Sequence, residues 1–143
     1  MKELAHACTA LVEVDAETAF AFLADAKALG GWALGSWGAS VDRAGRFHGR
    51  SLFSGEETWG RIDADPARLL IDYLVGSRPD DLRPRISARV VPGPVTGRPD
   101  EVCLITLTAW RAAGMDDVRW QQLVAAHEAE ILLIKGQLER SRR

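Results

Sequence analysis

WQQLVAAHEAEILLIKGQLER, residues 120–140, has the spacing of a long amphipathic helix. Trp120, Leu123, Val124, His127, Ile131, Ile134 and Leu138 recur every three or four positions, which at 3.6 residues per turn places them on one face. Arg119, Gln122, Glu130, Gln137 and Glu139 are expected on the remaining faces. The acidic pair Asp116-Asp117 suits a helix N-terminus, because carboxylates there meet unpaired backbone N–H groups. A helix of about 25 residues is about 37 Å long, enough to cross a small sheet from edge to edge. An apolar stripe of that length has to be buried against something, and the sequence before it supplies the candidate.

Upstream, strand-like runs alternate with turn signals in the pattern of an antiparallel meander. They are 37–41, 46–53, 56–62, 69–75, 86–91 and 102–110, divided by Asp42 to Gly45, Ser54-Gly55, Asp63 to Pro66, the polar loop 76–84 and the loop 92–100. A further strand is expected over 3–14, ending at Asp15, a good N-cap. Beyond it AETAFAFLAD spaces Ala19, Phe20, Phe22 and Leu23 helically, up to the Gly30-Gly31 break. A second, weaker helical turn is expected near Trp32 and Leu34. The reading is therefore α+β: about seven antiparallel strands curved around a long C-terminal helix, with two short helices after the first strand, in one domain over 1–143.

The totals agree with that size. A chain of 143 residues with 47% hydrophobic and 27% charged residues matches one globular core without a metal or disulfide staple. The formal charge of −2 offers no electrostatic reason to expect nucleic acid or an anionic membrane as partner. The basic tail Arg140, Arg142 and Arg143 reads as a frayed helix end. No signal peptide and no membrane span is legible, which points to the cytoplasm. Cys8 and Cys103 share no metal-ligand spacing and are expected as reduced core thiols. His6, His48 and His127 are far apart, so no metal or other cofactor is expected.

The opening VEVDAETAFAFLADAKALGGW, residues 12–32, and the closing segment 120–140 together resemble the START-like superfamily, also called SRPBCC, in its polyketide cyclase/dehydrase-like and birch-pollen-allergen-like branches. The resemblance covers nearly the whole chain and rests on the order of elements, not on a catalytic motif. It implies a helix-grip fold in which the sheet holds the last helix and leaves an apolar cavity between them. It also implies the functions found in such proteins: carriage of lipids and other hydrophobic ligands, and, in some, cyclisation or dehydration of polyketides.

Within such a cavity the residues expected to meet a ligand are Phe20, Trp59, Tyr73, Trp110 and His127. His127 stands among Val124, Ile131 and Ile134, where an imidazole could act as acid, base or hydrogen-bond partner, or be a satisfied histidine at the helix–sheet boundary. Trp59, Tyr73, Trp110 and the phenylalanines of the first helix would suit an aromatic ligand, with the Tyr73 hydroxyl fixing its orientation; equally, such side chains pack cores. Alternation separates Phe47, Gly49, Ser51 and Phe53 from Arg46, His48, Arg50 and Leu52, and groups Glu57, Trp59 and Arg61, and again Leu69, Ile71, Tyr73 and Val75. Glu57 and Arg61 read as an internal polar pair or a solvated one. GGWALGSWG, residues 30–38, reads as either a mobile lip over the cavity mouth or a packed connection.

No serine elbow, phosphate loop or metal cluster is legible, and no catalytic residue is assigned. Three functions remain open: binding or transport of a hydrophobic small molecule (lipid, polyketide or aromatic), a polyketide cyclase/dehydratase-like enzyme using the same cavity, and a chaperone-regulating interaction domain marked by an exposed apolar patch. A homodimer contact could lie in the glycine-tryptophan stretch or the loop 76–84.

Overall fold

The computed structural model describes residues 3–141. Arg142 and Arg143 of the basic tail lie outside the described residues. Seven strands form one antiparallel sheet: β1 (Ala5–Val12), β2 (Trp37–Val41), β3 (Phe47–Arg50), β4 (Glu57–Asp65), β5 (Leu70–Gly76), β6 (Arg83–Pro92) and β7 (Cys103–Trp110). Their order across the sheet is β1-β7-β6-β5-β4-β3-β2, so a single crossover brings the last strand back beside the first. Helices α1 (Ala16–Leu23) and α2 (Ala26–Leu29) follow β1, and α3 (Asp117–Ser141) closes the chain. The architecture is the expected α+β helix grip.

The local reasons are visible at each element. Asp15 caps α1, accepting from the Thr18 backbone N–H at 3.1 Å and from its hydroxyl at 2.6 Å. Asp25 caps α2 through the Lys27 N–H at 2.9 Å. The register of the ladders fixes which side chains face α3. Directly paired residues share a face, and His6↔Ala109↔Ile86↔Tyr73↔Ile62 and Val75↔Gly60↔Phe47 all lie on the concave side. Val12, Phe47, Ile71, Tyr73, Ala88, Val90, Cys103, Ile105 and Leu107 fill that side against Ile131, Ile134 and Leu138 of α3 and Ala19 and Leu23 of α1. The C-terminal half of α3 is tied to the opposite elements by polar contacts: Lys135 Nζ donates to the Leu11 carbonyl at 2.6 Å, and the Gln137 amide donates to the Gly31 carbonyl at 2.9 Å.

The boundaries depart from the sequence reading on β3, β4, β6 and the first helix: β4 runs on to Asp65 through the expected turn, and a break at Asp25 divides the first helical run into α1 and α2. The third strand stops at Arg50, not Phe53, because Ser51 turns the chain: its hydroxyl accepts from the Phe53 N–H at 3.1 Å and its carbonyl from the Gly55 N–H at 2.8 Å. The sixth strand begins at Arg83, inside the expected polar loop, because a bulge between Tyr73 and Leu74 lets Pro84 and Arg83 continue the pairing. The stretch 30–38 is a packed connection: Trp32 is buried with its ring edge-on to Tyr73 at 5.7 Å, and Leu34–Ser36 forms a 3-10 turn. Cys8 and Cys103 are both free thiols, Cys103 fully buried and Cys8 half-buried. No helix among the described residues is long and apolar enough to cross a membrane.

Candidate functional site

Between α3 and the β3–β6 side of the sheet lies a cleft of about 470 Å³, within the range typical of small-molecule sites. Its walls come from Ser36, Thr58, Val75, Ile86, Leu123 and Ala126, and its mouth from Phe53, Glu56, Arg85, Trp110, Met115 and Arg119. At its inner end a chamber of about 60 Å³ continues inward between Trp32, Phe47, Tyr73 and Leu107. That inner space is lined almost wholly by apolar groups and is small enough to take one or two waters or the tip of a ligand. His127 and Glu130 line both spaces and so stand at the junction between them.

These two residues lie three positions apart on α3, on one face of the helix, with His127 Nε2 3.9 Å from Glu130 Oε1. Each is almost inaccessible to solvent, at 2% and 7% exposure. Glu130 is held from the other side: the Leu34 N–H donates to its Oε2 at 2.9 Å. Neither ring nitrogen of His127 has a hydrogen-bond partner among the described residues. A buried imidazole with neither nitrogen paired among the described residues departs from the rule that buried polar groups are paired, and a polar ligand group reaching the end of the cleft that His127 lines would supply a partner.

Burial sets the protonation of the pair. Removal from water disfavours the charged form of each group. The Glu130 carboxyl is therefore pushed up to about 7, against the opposing effect of the Leu34 N–H, which favours the carboxylate. The His127 imidazole is pushed down to about 4, by burial first and by the neighbouring His6 second. The two are thus a neutral imidazole beside a carboxyl that titrates near neutrality, and not a salt bridge. His6, from β1, stands behind His127 with the two ring centroids 6.4 Å apart, and its Nε2 lies 3.7 Å from Glu128 Oε1.

The expected site residues scatter relative to this cleft. His127 is at its centre. Trp110 is 43% exposed and stands at the mouth. Tyr73 lines the inner chamber, but its hydroxyl donates to the Leu23 carbonyl at 2.6 Å, which commits its proton to the structure and leaves it none to orient a ligand. Trp59 is a correction: its neighbours Thr58 and Gly60 face inward, and Trp59 lies on the convex side, stacked on His48 with ring centroids 3.9 Å apart and planes 6° from parallel. Phe20 is half-buried against the core and does not line the cleft. Glu130, expected on a polar face, is instead buried and central. Its position three after His127 and four before Ile134 was the available signal, since both of those lie on the buried stripe. Glu57 is paired with Arg50 at 3.5 Å and lies near His48 Nε2 at 3.5 Å, not with Arg61.

No protein-family model and no curated protein matches the chain. Among solved structures the chain is similar to the protein XoxI from Bacillus cereus (TM-score 0.72, 9% identity, 99% of each chain covered). It is also similar to the Zhui aromatase/cyclase from Streptomyces sp. R1128 (TM-score 0.67, 21% identity, 97% of this chain and 95% of that one). A third likeness is to a START superfamily protein from Mycobacterium smegmatis (TM-score 0.66, 13% identity, 96% of this chain and 97% of that one). At these identities the likeness is one of fold: the chain shares the helix-grip architecture of these structures.

Proposed function

We propose that this protein binds a small hydrophobic molecule in the cleft between α3 and the sheet, with a polar group of that molecule at His127 and Glu130. The observation that carries the reading is a cleft of about 470 Å³ ending at a buried imidazole whose two nitrogens lack partners. Apolar walls supply affinity in proportion to the area they remove from water, while a few polar groups fix orientation. A carbonyl, phenol or hydroxyl suits the junction, because a neutral imidazole offers one donor and one acceptor and a protonated carboxyl offers a donor. Lipid, polyketide and aromatic skeletons share these features. A cleft of this depth favours ligand binding over a purely protein-interacting domain.

The test is fluorescence titration with 1-anilinonaphthalene-8-sulfonate on the wild type and on Ala126→Phe, which places a ring on the buried α3 wall of the cleft. One saturable site in the wild type, weakened at least about tenfold in the variant at unchanged melting temperature, supports the reading. Binding that is absent, or unaffected by the substitution, contradicts it.

A further inference from the structure

We infer that the Glu130–His127 pair is an acid–base site that enolises an apolar ketone bound in the cleft, with Glu130 as the base and the His127 imidazole holding the carbonyl oxygen. The inference rests on the binding reading above and adds to it a reaction and a substrate class. Four observations converge on it. The two side chains are 3.9 Å apart, so they reach adjacent atoms of one ligand, as a carbonyl oxygen and its α-hydrogen require. Both line the cleft and the inner chamber. Glu130 is anchored through Oε2 by the Leu34 N–H, which leaves Oε1 on the His127 side. Neither nitrogen of His127 has a hydrogen-bond partner among the described residues, so a carbonyl oxygen reaching the inner end of the cleft would be the first partner for its N–H.

The chemistry follows from the environment of each group. A base is most effective when its proton affinity lies near the working pH, and the Glu130 carboxyl at about 7 meets that condition. The imidazole, pushed down to about 4, stays neutral and donates a hydrogen bond without first giving up a proton. Two titrating groups driven apart by their surroundings mark a division of acid and base roles. In the reaction the Glu130 carboxylate takes the α-proton. The C–H electron pair becomes the new C=C bond, and the carbonyl π pair moves onto oxygen, where the His127 N–H stabilises the enolate. Protonated Glu130 then returns the proton to the same carbon or, in a conjugated enone, to a position along the conjugated system. Nothing is oxidised, and no co-reactant is consumed.

Other titratable groups near the pair are Tyr73 from β5 and Cys8 and His6 from β1. Tyr73 and Cys8 are both held in their neutral forms above their ordinary ranges by burial first, with the Glu130 charge adding to it for Tyr73 and the Glu128 and then Glu130 charges for Cys8. Arg85, Arg119, Glu56 and Glu57 stand toward the outer cleft.

The test uses 2-tetralone, a bicyclic ketone with acidic α-hydrogens, in D2O. Proton NMR follows loss of the α-signals, and binding is measured in parallel on the same samples. The expected result is saturable binding and exchange faster than in buffer, rising with pH and levelling above about 7. Glu130→Gln, which keeps an acceptor for the Leu34 N–H, should slow exchange at least about 100-fold while binding stays within about threefold. His127→Gln should slow exchange and also weaken 2-tetralone binding, because the imidazole N–H holds the carbonyl oxygen in both. Binding without catalysed exchange, or exchange undiminished in Glu130→Gln, overturns the catalytic inference and leaves the binding reading standing. Absence of saturable 2-tetralone binding overturns both.

Discussion

Replacing Glu130 by glutamine should stabilise the protein at alkaline pH and leave it nearly unchanged at acid pH. The carboxyl holds its proton more tightly in the fold than in the unfolded chain, with its value raised from 4.5 to about 7. Between those values the native state binds more protons than the unfolded state, so the Glu130 contribution to stability is complete below about 4.5 and declines as pH rises through about 7. At about 1.36 kcal/mol per tenfold change in proton affinity, forcing the carboxylate to form inside the cleft costs up to about 3 kcal/mol. Glutamine removes that cost and still accepts from the Leu34 N–H. Urea unfolding of both proteins at pH 5, 6, 7 and 8 gives the difference directly. The variant should be within about 1 kcal/mol of the wild type at pH 5 and ahead by as much as about 3 kcal/mol at pH 8. A difference that is constant with pH, or that shrinks as pH rises, would refute the assignment of a buried, largely protonated Glu130.

Three other substitutions separate structural from ligand-facing roles. Tyr73→Phe removes the donor to the Leu23 carbonyl and should cost about 1–3 kcal/mol in urea unfolding, because the carbonyl is left buried and unpaired, with 2-tetralone affinity unchanged. Trp59→Ala removes the outer stack on His48, costing about 1 kcal/mol and leaving ligand affinity untouched in the same titration. Gly60→Ala places a methyl group in the space held by the Phe47 ring, so Phe47 must leave its place and thermal unfolding should show a loss of about 1–3 kcal/mol.

The architecture was legible because it depends on periodicity. The stripe from Trp120 to Leu138, the alternating strands and the Asp15 cap all depend on spacing along the chain, and the structure reproduces each of them. The cleft was legible only in part. Alternation groups residues of one strand by face but does not say which face is inside. On β4 the inner positions flanking Trp59 are Thr58 and Gly60, the latter bare because the Phe47 ring of the neighbouring strand occupies the space a side chain there would fill. The larger Trp59 therefore looked like the core residue while lying outside. Glu130 was missed for the opposite reason: its charge assigned it to solvent although its position assigned it to the stripe. What keeps it there is the Leu34 N–H, 96 residues earlier in the chain, and the Tyr73 hydroxyl is likewise claimed by a carbonyl 50 residues away. Neither partner can be read from local pattern.

Occupancy of the cleft is read directly by NMR titration of the isotope-labelled wild type with 2-tetralone, following backbone, methyl and histidine side-chain signals. A single saturating set of shifts at Val75, Ile86, Leu123, Ala126 and His127 is the predicted result. Absence of saturation, or shifts centred on the convex face around His48 and Trp59, would show that the cleft between α3 and the sheet is not where such a ligand binds.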